Sequence, residues 1–310
     1  MTDIGNLVRK LIKFFLGFHF LNRVVATLFS IFGFEVYSRR VQLLSKNTNE
    51  PVQINIEEPH LSRILMFPSY KGFVDKIAHR NYIYGWNDFE KPLPFIINKL
   101  MEQSHVFIDI GANTGFYSLL AASHTDKKIL SFEPYPAVFE SLQANIDLNN
   151  KQNEISALQV ALSDANGDLE LFIPQNDHGF IETSASLNQH FKKSHGQVVQ
   201  VEVKTMDSVV EKNNLEKIDL IKIDVESLEK KVLAGAKKTI EDYRPIIILE
   251  ILDAEHIDWF KGFLAKNNYI AFSIGNELVE NQSLTINELQ PNFIFCPDEK
   301  LALISNINFE

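Results

Sequence analysis

The sequence predicts an α/β fold of the doubly wound kind, on three observations. Short apolar runs alternate with helical patterns over the second two-thirds of the chain. These runs are continuously apolar rather than alternating, so both faces of each are buried, as in a parallel sheet. The first of them, VFIDIGANTGFYSLL at 106–120, passes an acidic residue, turns through two glycines four positions apart and leaves as a helix. A strand that ends this way holds a nucleotide-type ligand at its carboxyl end.

The elements follow in order. Residues 1–50 carry seven basic residues against three acidic, a net +4 that leaves −14 for the remainder. They include the phenylalanine-rich LIKFFLGFHFLNRVVATLFSIFGF, which Lys13 and Arg23 interrupt, so the uncharged runs fall short of the ~18–20 residues of a membrane span. No small-residue cleavage site follows it. At about 100° per residue, Arg9, Lys10, Lys13 and Arg23 form a narrow basic stripe on a wide apolar face. Two readings of residues 5–36 fit that pattern: a helix at the inner face of a membrane, or an arm packed on the domain or on a second copy in a homodimer. Residues 51–85 read as a small β element, with VQINI (52–56) and LSRILMF (61–67) around a Glu-Pro-His turn. The main domain is expected over 86–310, entered by a helix at 87–103. Its strands are VFIDI (106–110), KILSFEP (128–134), ISALQVALS (155–163), LIKIDV (220–225) and IIILEI (246–251). Helical patterns occupy 115–124, 136–149, 206–214, 227–242 and 255–267. YIAFSI (269–274) and NFIFCP (292–297) close the sheet as an antiparallel pair.

Composition narrows the function. With 310 residues and 45% hydrophobic content the chain can build a large core. The net charge of −10 excludes nucleic acid as a main partner, because phosphate binding needs a basic footprint. A single cysteine, Cys296, permits no internal disulfide and points to a reducing, cytoplasmic setting. It stands in the apolar run NFIFCP and reads as a small core residue rather than a nucleophile.

The ligand loop is Asp109-Ile110-Gly111-Ala112-Asn113-Thr114-Gly115. Gly111 lets the backbone turn sharply beside a ligand, and Gly115 opens the helix where the strand packs closely. A dinucleotide loop has glycine at the middle position, next to the pyrophosphate; here that position is Asn113, and Asp109 precedes it. A carboxylate aimed into the loop repels pyrophosphate and suits a cation. S-adenosyl-L-methionine has a sulfonium, an ammonium and no phosphate, so the loop favours it over NAD. Glu133, about twenty residues on in SFEP, is placed to accept the ribose hydroxyls. Asp164 either accepts from the adenine amino group or starts the turn that Gly167 completes. Asp207 reads as a helix cap.

The fourth strand is the most densely charged: Lys222-Ile223-Asp224-Val225-Glu226, then Glu229. Ionisable groups in a buried strand must pair or do chemistry. Alternation puts Lys222, Asp224 and Glu226 on one face, with Glu226 beside the glycine loop. Glu250 ends the fifth strand on the same rim, where it could join Asp224 around a divalent ion; a third oxygen ligand is lacking, and no metal is assigned.

DIGANTG, FEPYP, ALSDANG, IDLIKIDVESLEKKVLAGA and RPIIILEI, in this order and spacing, resemble the FkbM family of methyltransferases from about residue 80 onward. KIDVE followed by VL-x-GA is the most specific part. The resemblance implies a class I methyltransferase fold, Rossmann-like, with a seven-stranded, mostly parallel sheet and helices on both faces. It implies methyl transfer from S-adenosyl-L-methionine to a hydroxyl of a sugar, polysaccharide or secondary metabolite. By it, Asp109, Gly111, Asn113, Gly115, Glu133 and Asp164 match the cofactor positions, and Lys222, Asp224 and Glu226 the KIDVE motif. The family has glycine where this chain has Ser227.

A sugar hydroxyl is a weak nucleophile near pH 7, so a base is expected. Asp224 and Glu226 are the candidates for base or substrate orienter, with Lys222 holding their charge. The polar stretch PQNDHGFIETSASLNQH (174–190) reads as a substrate lid, and its His178 as an alternative base. Two rival classes remain: an NAD-dependent oxidoreductase, disfavoured by Asp109 and Asn113, and an inactive cofactor-binding scaffold.

Overall fold

The computed structural model describes residues 50–307, save 57, 59–60, 62, 72, 175–185, 188–194, 253 and 287–290. The arm expected at 5–36 lies outside these, as do His178 and most of the expected lid. The described chain enters through two short hairpins. Strand β1 (Val52–Ile54) pairs antiparallel with β2 (Ile64–Met66), and β3 (Ser69–Tyr70) with β4 (Phe73–Val74). A helix that sequence reading missed follows, α1 (Lys76–Tyr84), nucleated by Asp75, whose carboxylate accepts from the amides of Ile77 and Ala78 at 2.8 and 3.1 Å. The helix expected at 87–103 is shorter, α2 (Leu93–Met101), because Pro92 and Pro94 confine it to start there.

The lead-in packs into the main core rather than beside it. Ile54, Ile64 and Met66 belong to the same apolar cluster as Ile96, Ile97 and Leu120. Two asparagines fasten it, Asn145 in helix α4 (Pro136–Leu148) and Asn149 at that helix's C-cap. Asn149 exchanges hydrogen bonds with the backbone of Leu65, and Asn145 Oδ1 accepts from the amide of Phe67 at 2.9 Å. Asn145 also donates through Nδ2 to the carbonyl of Thr114 at 2.8 Å, tying the lead-in to the glycine loop.

Strand and helix then alternate: β5 (Val106–Ile110), α3 (Phe116–Ala122), β6 (Lys128–Phe132), α4 (Pro136–Leu148) and β7 (Ile155–Leu158). In β5 Phe107 faces one core while Val106, Ile108 and Ile110 face the other, which is why the run is apolar throughout. The run 155–163 divides after β7. Its second part, β8 (Ala161–Leu162), leaves the main sheet and pairs parallel with β10 (His195–Lys204), which is antiparallel to β9 (Gly167–Pro174). This three-stranded sheet was not expected. Leu171, Ile173, Val201 and Val203 are buried, whereas Leu169 and Val198 are 43% and 48% exposed, the half-solvated pattern of an outlying antiparallel ribbon.

After α5 (Met206–Lys212) come β11 (Leu220–Ile223), α6 (Glu229–Ala234), α7 (Lys237–Tyr243) and β12 (Ile246–Glu250). The helix expected at 227–242 is thus two helices, broken at Gly235-Ala236. Asp207 is a cap, but of a distant helix: it accepts from the amides of Lys238 and Thr239 at the start of α7. The chain ends with α8 (Ile257–Asn267), β13 (Tyr269–Ile274), β14 (Leu278–Glu280), β15 (Asn292–Pro297) and α9 (Leu301–Ser305).

The main sheet runs β14-β13-β15-β12-β11-β5-β6-β7. The five strands from β12 to β7 are parallel, and β15 lies antiparallel between β12 and β13. All seven expected strands are present, with β14 added at the edge. Strand order reverses between β5 and β11, the place where doubly wound sheets open a crevice for ligands. Cys296 is fully buried in β15, and burial pushes its thiol up to about 12. Among the described residues no helix is long and apolar enough to cross a membrane.

The packing of α6 against the end of β8 leaves no space at Gly235: an added Cβ would lie 2.0 Å from the carbonyl oxygen of Ser163. Gly235→Ala is therefore expected to lower stability by roughly 1–3 kcal/mol through overpacking, measured as a shift of the urea midpoint at unchanged slope.

Candidate active site

A cavity of about 360 Å³ opens at the crevice between β5 and β11. Its floor is formed by residues 110–113 of the loop. Gly111 has φ 78°, and a Cβ there would lie 1.9 Å from the carbonyl oxygen of Asp224, so only glycine lets the two strand ends meet. Asn113 also adopts a left-handed conformation, φ 52°, which asparagine tolerates better than most side chains. Its side chain accepts from the amide of Thr114 at 2.8 Å, shaping the loop from within. Gly115 caps α3 at φ 93°.

Glu133 lies at the carboxyl end of β6 and lines the cavity. Its two oxygens accept from the amides of Asn113 and Tyr135 at 3.1 and 2.9 Å, which fixes the carboxyl beside the loop. Burial outweighs these hydrogen bonds and raises its pKa to about 7.

Two of the residues expected at the cofactor lie outside the cavity lining. Asp109 does not face the cavity. It is completely buried in β5, accepts from Ser118 Oγ at 2.6 Å and lies opposite Lys222 in the strand register. Its charge acts on the lysine. Asp164 does not line the cavity either: it is exposed in the turn after β8, accepting from Ser163 Oγ at 3.1 Å. The cavity wall there is Val160, Ala161 and Leu162, an apolar surface.

The fourth-strand residues converge, though not by alternation. Strand β11 stops at Ile223, and the backbone turns through Glu226 (φ 53°) and Ser227 (φ 76°) before α6. Glycine is the ordinary occupant of such a conformation, and here Ser227 adopts it. The turn is held from within by Glu229, which accepts from the amides of Val225 and Ser227 at 3.4 and 3.2 Å, while Ser186 Oγ donates to the carbonyl of Glu226 at 2.9 Å. Glu229 is buried, and burial raises its pKa to about 8.

Lys222 is 3% exposed and donates to Asp224 at 2.8 Å. Its ammonium stands 4.8 Å from the centre of the Tyr117 ring. Burial alone would lower its pKa, but Asp224, Glu90 and Asp109 together overcome this and hold it above the ordinary lysine range. Tyr117 in turn donates to Glu90 at 2.7 Å. Sequence reading missed Glu90 and Tyr117. Tyr117 was visible in the loop-to-helix stretch, one turn from Asn113; Glu90, on the connection before α2, had no local signal. Glu250 ends β12 at the cavity, and burial, then the charges of Asp224 and Glu90, raise its pKa to about 7. Among the described residues, no group of three or more His, Cys, Asp or Glu could hold a metal ion.

Among the described residues five carboxyl groups line the cavity (Glu90, Glu133, Asp224, Glu226 and Glu250), and the one lysine there is already paired. The strand order and the cavity at the carboxyl ends of β5, β6 and β11 define a class I methyltransferase fold. Residues 109–271 match the family model described as the methyltransferase FkbM domain, and the chain belongs to that family. Curated relatives include Methyltransferase sdnD of Sordaria araneosa, 32% identical over 152 residues, covering 41% of this chain and 59% of the relative. The hexuronic acid methyltransferase AglP of Haloferax volcanii is 25% identical over 147 residues, covering 47% and 56%. The 2-O-methyltransferase NoeI of Sinorhizobium fredii is 30% identical over 173 residues, covering 52% and 68%. The chain thus spans roughly three-fifths of the length of these relatives.

The raised carboxyls set a pH dependence of stability. Glu133, Glu229 and Glu250 keep their protons in the folded chain up to about 7–8, whereas unfolded glutamates lose theirs near 4.5. The folded state binds more protons across that window, so stability falls as pH rises through it. The melting temperature is expected to drop by several degrees between pH 5 and pH 8, and Glu229→Gln to remove part of the drop in a thermal scan.

Proposed function

We propose that this chain transfers a methyl group from S-adenosyl-L-methionine to a hydroxyl oxygen of a sugar or secondary metabolite. The observation that carries this reading is the lining of the cavity: among the described residues it holds five carboxyl groups and one lysine already paired with Asp224, which offers acceptors to a cationic ligand and no free cation to a pyrophosphate. Glu133 is the residue for the ribose hydroxyls, the loop 111–115 passes beneath the ligand, and the apolar wall of Val160, Ala161 and Leu162 suits an adenine face. When bound, S-adenosylmethionine supplies a methyl group activated by its sulfonium.

The chain's own residues supply the rest. Asp224, kept next to Lys222, orients the acceptor hydroxyl. Glu250, with a pKa near 7, is matched to receive the hydroxyl proton at neutral pH. Glu226 adds negative charge on the opposite wall. The relatives support transfer to oxygen, since NoeI is named a 2-O-methyltransferase, and to a sugar, since AglP is named for a hexuronic acid. The net charge of −10 supports a small-molecule or glycan acceptor over nucleic acid, and the buried lone Cys296 supports a cytoplasmic setting.

Calorimetric titration tests the reading. S-adenosylmethionine and S-adenosylhomocysteine are expected to bind and NAD not to. Glu133→Ala should weaken the S-adenosyl ligands by about 1–3 kcal/mol. Their affinity should rise between pH 6 and pH 8 as Glu133 ionises in the free protein, and that rise should be absent in Glu133→Gln. Binding of NAD without the S-adenosyl ligands would overturn the proposal.

A further inference from the structure

A second, larger cleft of about 870 Å³ adjoins the first, and the two share Glu90, Asp224 and Glu250 as a common wall. A group placed in the second cleft and a ligand in the first can meet only at these carboxylates. We propose that the second cleft is the acceptor site and that it takes an uncharged, polyhydroxylated ring, excluding acceptors that carry a carboxylate. The proposal rests on the methyl-transfer reading and specifies its acceptor.

The size of the cleft lies within the roughly 300–1,000 Å³ of small-molecule sites. Its polar lining is of two kinds. The amides of Asn276 and Asn292 each offer a donor and an acceptor, Asn87, whose Oδ1 already accepts from the amide of Phe95 at 3.1 Å, offers its donor, and the three carboxyls accept, or donate when protonated. Vicinal ring hydroxyls, which donate and accept from adjacent carbons, are complementary to such a surface. Leu93, Phe95 and Ile274 supply apolar area for the ring's carbon face.

Charge decides which ring is admitted. Among the described lining residues Lys91 is the only cation, and it is exposed at the mouth. Lys222 is behind the wall and already faces Asp224. The carboxyls of the wall disfavour one another's ionisation: beyond burial, Asp224 and Glu90 raise the pKa of Glu250 against a smaller opposing pull from Lys222, and Asp224 raises that of Glu90 against a larger one. A further carboxylate on the acceptor would enter this crowd without a cation to meet it, and like charges in contact are strongly disfavoured. By its name the relative AglP acts on a hexuronic acid; the cleft described here selects against that class.

Saturation-transfer NMR on the full chain loaded with S-adenosylhomocysteine tests this at pH 8. The probes are the methyl glycosides of glucose, galactose and mannose, each beside the methyl glycoside of its uronic acid. The neutral member of a pair is expected to bind at least about tenfold more tightly than its uronate. Neutralising the wall with Glu90→Gln and Glu250→Gln together should bring that ratio towards one. The proposal fails if a uronate binds as well as its neutral partner, or if no sugar of any pair binds. It fails too if the double variant, still binding S-adenosylhomocysteine, keeps the wild-type ratio. Calorimetry of S-adenosylhomocysteine alone separates the causes: its failure to bind would overturn the methyl-transfer reading itself.

Discussion

A lysine ammonium in the fourth strand of a parallel sheet has no water to solvate it, and Lys222 is only 3% exposed. Leaving it unpaired would cost several kcal/mol, so negative charge has to be brought to it from several directions. Asp224 comes from the residue just past the end of its own strand, Asp109 from the adjacent strand and Glu90 from the connection before α2, with Tyr117 bridging to Glu90. This one requirement aligns β5 with β11 and draws the 85–92 connection over the crevice. It also places Asp224 and Glu90 where both cavities end. Removing one member would leave the others as uncompensated buried charge, so the set acts as a unit.

The backbone around that set is equally constrained. At the switch point the carbonyl of Asp224 occupies the space that a side chain on Gly111 would need, and at α6 the carbonyl of Ser163 does the same for Gly235. These two contacts bring the ends of β5 and β11 together and seat α6 against the end of β8. The turn that carries Glu226 is held by Glu229 from inside. A rim whose groups are held in place is what a transfer reaction dominated by positioning requires.

Much of the fold was legible because burial on both faces writes itself as continuous apolar runs: VFIDI, LIKI and IIILE are strands in the structure as in the sequence. The ribbon β9–β10 was not, since Leu169 and Val198 face solvent and the stretch between is polar enough to pass for a loop. Gly111 in DIGANTG announced a sharp backbone turn, and the structure has one, with Gly111 at φ 78° and Asn113 at φ 52°. The direction of a side chain was less legible. Asp109 was expected in the loop and is under it, because β5 alternates between two cores and the residue falls on the side of Ser118. Asp164 lies past the point where β8 leaves the sheet, a departure no local pattern marks. Glu90 is brought in from a part of the chain that is neither apolar nor periodic, so only the tertiary fold finds it.

Asn145 has a consequence for what counts as this protein's smallest autonomous unit. One end of its amide carries β2 through Phe67 and the other carries the carbonyl of Thr114 in the glycine loop. The segment that matches the family begins at residue 109, yet the loop at its start is braced by residues more than forty positions earlier. Cutting the chain to the matched segment would strip one face of α3 and leave Asn145 and Asn149 with unanswered polar groups. The boundary drawn by ancestry and the boundary drawn by mechanics therefore differ, and the residues from about 52 onward belong to the mechanical one.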